Sequence, residues 1–322
     1  MCSTSAEFEV DASGGVRLRC LVPPELAGKR LDAGLTKLLR NHTRWRVQRF
    51  VRAGRVVVNG SVAGPRHRLR PGDLLDVSVP EPPDGWYEPE PGPLTVLFED
   101  EHLLAVDKPT GMTVHPTGSR QSGTLLNRVQ AYLDRDGVRG VLRPGVVHRL
   151  DASTSGVIVL AKTHLAHATL TRSFERREVR KTYLAVVEGE VAGPGGVIDK
   201  PIGRSPCGKT LLRSCAADAI DAKPAATRYR VLRRYAGRTA LLCRPRTGRN
   251  HQIRVHLASL GHPLVGEPFY RADGTLAERD GERPAGRLGL HARSIAFTHP
   301  VDGRPLRVVA PVPTDPEFVW GL

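Results

Sequence analysis

The sequence predicts an α+β protein, with a small module followed by a large one. Residues 80–93 mark the boundary, because six of these fourteen residues are proline and four are acidic. Proline fixes φ and lacks an amide donor, so this stretch cannot form a helix or a central strand. In the large module, strand-like apolar runs such as Val157–Ala161 and Ala240–Cys243 alternate with amphipathic stretches and with Gly and Pro turns. A length of 322 residues fits two domains.

The small module, residues 21–79, is predicted to begin with two helices. Leucines at positions 31, 35, 38 and 39 recur at the spacing of one helix face. A second helix is expected after Thr43, a candidate N-cap, and before Gly54, a typical helix stop. Its inward face would carry Val47, Phe50 and Val51.

A small antiparallel sheet should follow these helices. Val56–Val58 precede Asn59-Gly60, a pair that favours a tight hairpin turn, and Val62 begins the returning strand. Pro71-Gly72-Asp73 indicates a further turn, which leads to a short strand at Leu74–Val79.

The formal net charge of +15 suggests a polyanionic partner, and nucleic acid is the first candidate. Part of this charge lies on the second predicted helix, where a solvated basic face is the simpler alternative to an RNA-binding surface. The arginines of that helix are Arg44, Arg46, Arg49 and Arg52.

The five cysteines include no C-x-x-C pair, so neither a disulfide framework nor a Cys-based zinc site is expected. We expect a reducing cytoplasm. No uncharged apolar run approaches the ~18 residues that a membrane-spanning helix needs, and the N-terminal residues lack the pattern of a secretory signal.

Three segments carry candidate chemistry: 107–116, 148–162 and 247–270. In the second, His148, Arg149 and Asp151 precede an apolar strand on a predicted loop. A carboxylate beside an arginine can stay ionised while partly buried, although a lone aspartate in a turn more commonly accepts hydrogen bonds from backbone amides.

The third segment predicts a helix that carries Arg254 near its start and ends at Gly261, with Arg249 before it. A solvated basic helix face is the plain alternative. His251 and His256 do not form the H-E-x-x-H pattern, and their i, i+5 spacing separates them around a helix, so no metal is expected.

Nucleotide and hydrolase motifs are absent from the sequence, which has no G-x-x-x-x-G-K-[ST], G-x-G-x-x-G or G-x-S-x-G segment. If the protein is an enzyme, we therefore expect one that uses no cofactor.

The segments RLDAGLTKLL, RAGRVVVNG and LRPGDLLDV, between residues 30 and 77, resemble the S4 RNA-binding domain. The large module resembles the RluA family of pseudouridine synthases. The resemblance rests on DKPTGMTVHP, on HRLD followed two residues later by TSG, and on the third segment, and KTYLAVVEG and LHARSIAFTHPVDG also match.

This resemblance implies an N-terminal extension at 1–20, an S4-like α/β module at 21–79, a linker at 80–93 and a catalytic domain at 94–322. The catalytic domain would be built on a mixed, largely antiparallel sheet. The implied reaction detaches a uridine base from its sugar in RNA, turns it and rejoins it through C5, without metal or cofactor.

The resemblance also implies roles for individual residues. Asp151 matches the essential catalytic carboxylate, and Tyr183 matches the tyrosine that stacks on the target base. Arg254 matches the basic partner of that carboxylate. Arg149 matches the arginine that fills the gap left by the extruded base. Further RNA contacts are expected from His148 and Arg249, and from the four arginines of the small module.

Several positions depart from the family pattern. Ala152 stands where a basic residue is common, Glu267 replaces the usual aspartate, and Arg271 replaces a glycine. Residues 204–226 match weakly. These departures concern substrate contacts rather than the catalytic set.

We expect ribosomal RNA of the large subunit as the substrate, and a monomeric protein. A tRNA substrate stays open, as does a non-catalytic RNA-binding or ribosome-assembly protein on the same scaffold. The presence of Asp151, Tyr183 and Arg254 argues against the non-catalytic alternative.

Overall fold

The computed structural model describes residues 7–10, 16–39, 44–79, 87–117, 122–136, 144–207, 212–272, 276, 286–315 and 318. The chain divides into two compact units. The first contains Met1–Pro93, Pro116–Val146 and Ala161–Ala168. The second contains Leu94–His115, Val147–Leu160 and Thr169–Leu322.

Helices and strands follow one another along the whole described chain. Before residue 100 they are β1 (Glu7–Val10), β2 (Val16–Leu21), α1 (Leu31–Leu38), α2 (Arg44–Arg52), β3 (Val56–Val58), β4 (Ser61–Val62), β5 (Leu74–Val79) and β6 (Thr95–Glu99). Up to residue 200 they are β7 (Leu103–Lys108), α3 (Leu125–Leu133), β8 (Gly145–Val146), β9 (Ser155–Ala161), α4 (His164–Glu175), β10 (Arg180–Glu188) and β11 (Gly195–Asp199). The remainder are β12 (Ile202–Arg204), β13 (Arg213–Ser214), β14 (Ile220–Lys223), β15 (Ala226–Tyr235), β16 (Arg238–Pro245), α5 (Gln252–Ala258), β17 (Leu290–Thr298) and β18 (Pro305–Val309).

The first unit contains a sheet in the order β1-β2-β5-β3-β4, on which α1 and α2 share one core. Leu31 and Leu35 of α1 are fully buried, as is Val47 of α2. Apolar side chains at this spacing form one helix face, and burying that face stabilises a short helix that would be marginal alone. The predicted leucine face is therefore confirmed.

The predicted hairpin of the small module is also present. Asn59 and Gly60 have φ values of 50° and 82°, the left-handed pair that a tight two-residue turn requires. Gly54 ends α2 with a φ of 70°, as predicted. Thr43, the candidate N-cap, lies outside the described residues.

The second unit is built around a sheet in the order β11-β15-β16-β10-β17-β9-β7-β6, with β18 beside β17. Its registers are antiparallel between β10 and β16 and between β10 and β17, whereas β9 and β17 pair in parallel. This arrangement confirms the predicted α+β class with a mixed, largely antiparallel sheet. The two predicted strand runs lie in β9 and β16.

Gly156 lies where β9 meets β17. Its φ is 110°, and a Cβ at this position would lie 2.3 Å from the carbonyl oxygen of Ala292 and 2.7 Å from its amide nitrogen. Both contacts are with backbone atoms, so no side-chain movement relieves them. The parallel pairing of these strands therefore requires glycine.

The structure also bears on the predicted linker, the weakly matching stretch 204–226, the cysteines and the described helices. Residues 87–93 of the predicted linker contain neither helix nor strand, and residues 80–86 lie outside the described part. The weakly matching stretch forms a small sheet in the order β13-β12-β14, which its composition did not predict. Among described residues, Cys20, Cys207, Cys215 and Cys243 are free thiols, and none of the described helices is long and apolar enough to cross a membrane.

Candidate active site

The predicted site residues of the large module line one cavity of about 460 Å³ in the second unit. The strongly apolar strand β9 is completely buried, and the loop that precedes it brings the HRLD segment to the cavity wall. Strand β10 contributes the aromatic wall, and the segment leading into α5 contributes the cationic wall. The predicted residues in the lining are His148, Arg149, Asp151, Tyr183, Arg249 and Arg254.

Asp151 presents a partly exposed carboxylate to this cavity. Its side chain is 23% exposed, whereas that of Arg254 is 3% exposed. The closest charged contact joins Arg254 Nη1 to Asp151 Oδ2 at 3.6 Å, and His251 Nε2 lies 4.0 Å from the same oxygen. The arrangement places a partly exposed carboxylate beside a buried guanidinium.

Arg254 has a second and closer carboxylate partner, Glu267. The Glu267 side chain is 2% exposed, and it accepts hydrogen bonds from Arg254 Nη2 at 2.6 Å and from Arg254 Nε at 2.8 Å. Burial opposes the charge of the guanidinium, but Glu267 and Asp151 outweigh it and raise the pKa of Arg254. A two-pronged contact of this kind fixes the plane of the guanidinium and aims Nη1 at Asp151.

Tyr183 lies on β10, where it faces Cys243 of β16 and Ala292 of β17. The register of the β10–β17 pair shifts between Thr182 and Tyr183, and such a bulge re-aims the side chains beside it. Burial, with a smaller contribution from Asp151, raises the pKa of Tyr183. The ring is therefore a neutral flat surface on the cavity wall.

His148 is held by contacts within the fold. Its Nε2 accepts a hydrogen bond from the Val159 amide at 2.9 Å, and its ring stacks on Phe174 with centroids 4.9 Å apart. Burial, followed by the charge of Lys181, lowers the pKa of His148 to about 3. The ring is neutral at physiological pH, with its proton on Nδ1.

Lys108 supports the loop that carries Asp151. This lysine is fully buried, and Nζ donates to the carbonyl oxygens of Pro109, Met112 and Ala152 at 2.8, 2.9 and 3.1 Å. Burial lowers its pKa to about 7, against the opposing effect of Asp151. The contact with Ala152 ties the DKPTGM segment to the residue that follows Asp151.

The predicted RNA-binding arginines of the small module belong to the first unit. Arg44, Arg46 and Arg49 lie in α2, and their side chains are outside the described part of the structure. Arg52 is exposed and lines a notch together with Arg30 and Arg66.

His251 and His256 of the third segment are not brought together as metal ligands. His256 is buried and its ring nitrogens contact Thr227 Oγ1 and the Lys200 carbonyl oxygen, at 2.9 and 3.0 Å. Within the described ranges, no group of three or more His, Cys, Asp or Glu side chains is arranged to hold a metal ion.

Comparison with known proteins agrees with this geometry. Residues 102–259 match the RNA pseudouridylate synthase family, and residues 29–75 match the S4 domain. The chain is 41% identical over 307 residues to "Ribosomal large subunit pseudouridine synthase D" of Xanthomonas campestris pv. campestris, covering 92% of this chain and 89% of that protein.

The chain belongs to the RNA pseudouridine synthase family. It is also 38% identical to "Uncharacterized RNA pseudouridine synthase YlyB" of Bacillus subtilis, covering 90% of this chain and 93% of that protein. The solved structure of "Human RNA Pseudouridylate Synthase Domain Containing 1" aligns with a TM-score of 0.55 at 30% identity, covering 69% of this chain and 86% of the human one.

As an RNA pseudouridine synthase the protein is an isomerase. Asp151, Tyr183 and the exposed Arg149 all line its cavity. The expectation that the departure at Glu267 concerns substrate contacts rather than the predicted catalytic set is wrong, because Glu267 is the closest carboxylate partner of Arg254. The only sequence signal for this role was its position in the GEPFY segment, residues 266–270. Sequence reasoning also missed Lys181, whose Nζ donates to the Thr247 carbonyl oxygen at 3.2 Å on the cavity wall.

Proposed function

We propose that this pseudouridine synthase modifies uridine in large-subunit ribosomal RNA, with Asp151 as its catalytic carboxylate. The names of several relatives, among them the Xanthomonas campestris protein, support the ribosomal target. The observation that carries the proposal is the partly exposed Asp151 carboxylate, 3.6 Å from buried Arg254 in a cavity that also contains Tyr183.

Each proposed role has a physical reason. The target base must leave its stack before Asp151 can reach the bond between sugar and base, and extrusion costs a few kcal/mol. Arg149 offsets part of this cost by stacking a planar cation in the gap. Tyr183 receives the extruded base, with stacking worth about 1–3 kcal/mol. Arg254 provides a counter-charge to Asp151, whether Asp151 attacks the sugar, attacks the base or removes a sugar proton.

RNA binding is proposed to extend beyond the catalytic residues. His148 and Arg249 would contact RNA beside the target, and Arg44, Arg46, Arg49 and Arg52 would contact phosphates elsewhere on the substrate. The match of residues 29–75 to the S4 domain supports this. We keep the predicted linker at 80–93 and catalytic domain at 94–322 as part of the proposal, and we place the start of the small module before residue 21, because β1 and β2 belong to its sheet. We further propose a cytoplasmic monomer that needs no cofactor.

The decisive experiment compares Asp151→Asn with the wild-type protein on RNA from a strain lacking the enzyme. Pseudouridine is mapped chemically at single-nucleotide resolution. We expect wild type to restore one or more sites in large-subunit RNA, and Asp151→Asn to restore none while binding RNA with similar affinity. Asp218→Asn, at an exposed position, is the matched control and should behave as wild type. Sites confined to tRNA would overturn the ribosomal target, and product from Asp151→Asn would overturn its role.

The proposed phosphate contacts are tested by salt dependence. Each phosphate contact to single-stranded RNA should add about 0.7 to the slope of log affinity against log salt. Replacing Arg44, Arg46, Arg49 and Arg52 together by alanine should therefore flatten this slope by about 2 to 3. An unchanged slope would contradict the proposed contacts of α2.

A further inference from the structure

His251 lines the cavity and has an unusual backbone conformation. It precedes α5 with φ 55° and ψ 19°, in the left-handed region that few residues other than glycine, asparagine and histidine occupy. This conformation brings the imidazole into the cavity lining, where its side chain is 15% exposed. A non-glycine residue held in this region is a reason to ask what its side chain does.

The hydrogen bonds of Tyr270 determine which ring nitrogen of His251 carries the proton. Tyr270 Oη lies 2.6 Å from His251 Nδ1, and it accepts a hydrogen bond from the Arg213 amide at 3.2 Å. Within the described ranges, Nδ1 is the acceptor in reach of the Tyr270 hydroxyl proton. The hydroxyl therefore donates to Nδ1, which leaves the imidazole proton on Nε2.

The imidazole is neutral in this tautomer at physiological pH. Burial lowers the pKa of His251 to about 4, against the effect of Asp151 and together with that of Arg254. Burial also raises the pKa of Tyr270, so the hydroxyl keeps its proton. Phe269 lies parallel to the imidazole, with an interplanar angle of 4° and centroids 6.4 Å apart.

The protonated Nε2 of His251 faces the carboxylate of Asp151. The nearest oxygen is Oδ2, at 4.0 Å, and the same oxygen receives Arg254 Nη1 at 3.6 Å. Neither distance is a hydrogen bond, but an approach of about 1 Å makes both of them hydrogen bonds, and such contacts commonly tighten when substrate binds. Both donors then hold Oδ2, and Oδ1 stays free.

We propose that His251, with its tautomer set by Tyr270, is a positioning residue that holds Oδ2 of Asp151 and presents Oδ1 to the nucleoside. The inference rests on the proposed role of Asp151, which it deepens. It assigns a function to the tyrosine of the GEPFY segment and makes one carboxylate oxygen the reacting atom.

The test uses two substitutions, each of which replaces one of the two imidazole nitrogens and omits the other. In His251→Gln an amide nitrogen can reach the position of Nε2, so the donor toward Asp151 is kept. In His251→Asn the side chain ends near the position of Nδ1, so the contact with Tyr270 is kept and the donor is lost. Asparagine also tolerates the left-handed backbone, so a loss in this variant is not a backbone effect.

Single-turnover rates and RNA affinities are measured for the full-length proteins, on a transcript that carries a mapped target. We expect His251→Asn to react about 100-fold more slowly at unchanged affinity, the effect of a misplaced reacting group. His251→Gln should recover at least half of this loss on a logarithmic scale. Wild-type rates in His251→Asn, or equal losses in both variants, would overturn the proposal.

A second measurement needs no change at position 251. With ¹⁵N-labelled histidine, NMR of the wild type should find Nε2 of His251 protonated, and Tyr270→Phe should shift it to a mixture of tautomers. A proton on Nδ1 in the wild type would overturn the proposal. Asp151→Asn distinguishes failure of the proposed function from failure of the inference about His251. Product formation by that variant contradicts the proposed function itself. An inactive Asp151→Asn beside a normal His251→Asn contradicts only the present inference.

Discussion

Arg254 contacts Glu267 more closely than it contacts Asp151. The two hydrogen bonds to Glu267 are 2.6 and 2.8 Å long, against 3.6 Å for the contact with Asp151. The buried pair anchors the guanidinium, and its remaining nitrogen, Nη1, faces the loop that carries Asp151.

Replacing Glu267 by glutamine should therefore destabilise the protein by about 3–5 kcal/mol, because it leaves a buried guanidinium without its closest counter-charge. The measurement is the free energy of unfolding in urea at neutral pH. Glu267→Asp keeps the charge and should lose less. If the two variants unfold at the same urea concentration, the charge of Glu267 is not what holds Arg254.

Lys108 offers a second test of how the loop is supported. In Lys108→Met the three carbonyl oxygens lose their buried donor, and an unsatisfied buried acceptor costs about 1–3 kcal/mol. We expect a loss of at least that size in the free energy of unfolding, with slower turnover at saturating RNA because the support at Ala152 is gone. Lys223→Met, at an exposed position, is the control and should change stability by less than about 0.5 kcal/mol.

Two substitutions of Tyr183 distinguish a stacking role of its ring from a proton-transfer role of its hydroxyl. Since its pKa is raised, its hydroxyl keeps its proton, and the ring is the part expected to act. Tyr183→Phe should react within a few-fold of wild type, whereas Tyr183→Leu should lose about 1–3 kcal/mol of stacking, equal to roughly 5- to 160-fold in single-turnover rate. An inactive Tyr183→Phe would instead assign the chemistry to the hydroxyl.

Because His291 is buried, we expect the protein to lose stability as the pH falls. His291 is fully buried beside Ser155 Oγ, 2.8 Å from its Nδ1, and burial, followed by the charges of Arg287 and Arg293, lowers its pKa to about 4. The unfolded imidazole titrates near 6.5, so between these two values the unfolded chain binds more protons. The free energy of unfolding should therefore fall as pH falls from about 6.5 to 4, by up to about 1.4 kcal/mol per pH unit.

The contribution of His291 is isolated by comparing wild type with His291→Gln in urea at pH 7, 6 and 5. The variant should lose less stability than wild type over this range, and His67→Gln, at an exposed position, should follow the wild-type curve. Parallel curves for wild type and His291→Gln would contradict the assignment.

Local patterns predicted the elements of this protein well. The leucine spacing of α1, the Asn59-Gly60 turn and the apolar run of β9 each follow from contacts between near neighbours along the chain. The loop position of Asp151 follows from the same kind of pattern. The resemblance to the RluA family then brought Asp151, Tyr183 and Arg254 together, although no periodicity relates positions so far apart.

The contacts that the sequence did not predict are tertiary contacts. Glu267 meets Arg254 only because the chain turns back after α5, and Tyr270 meets His251 for the same reason. The hydrogen bond to His148 likewise comes from an amide within the buried strand β9, that of Val159. Such pairings are set by packing, so residue type and spacing alone do not predict them.

Gly156 shows that part of the HRLD-x-x-TSG signature is structural. The glycine is required because β9 and β17 meet backbone to backbone, and His148 is fixed by an amide of the same strand. A descendant that had stopped modifying RNA would still need this glycine in order to pair the two strands. In relatives, the glycine of the signature therefore reports ancestry and architecture, and its presence alone does not show that the reaction survives.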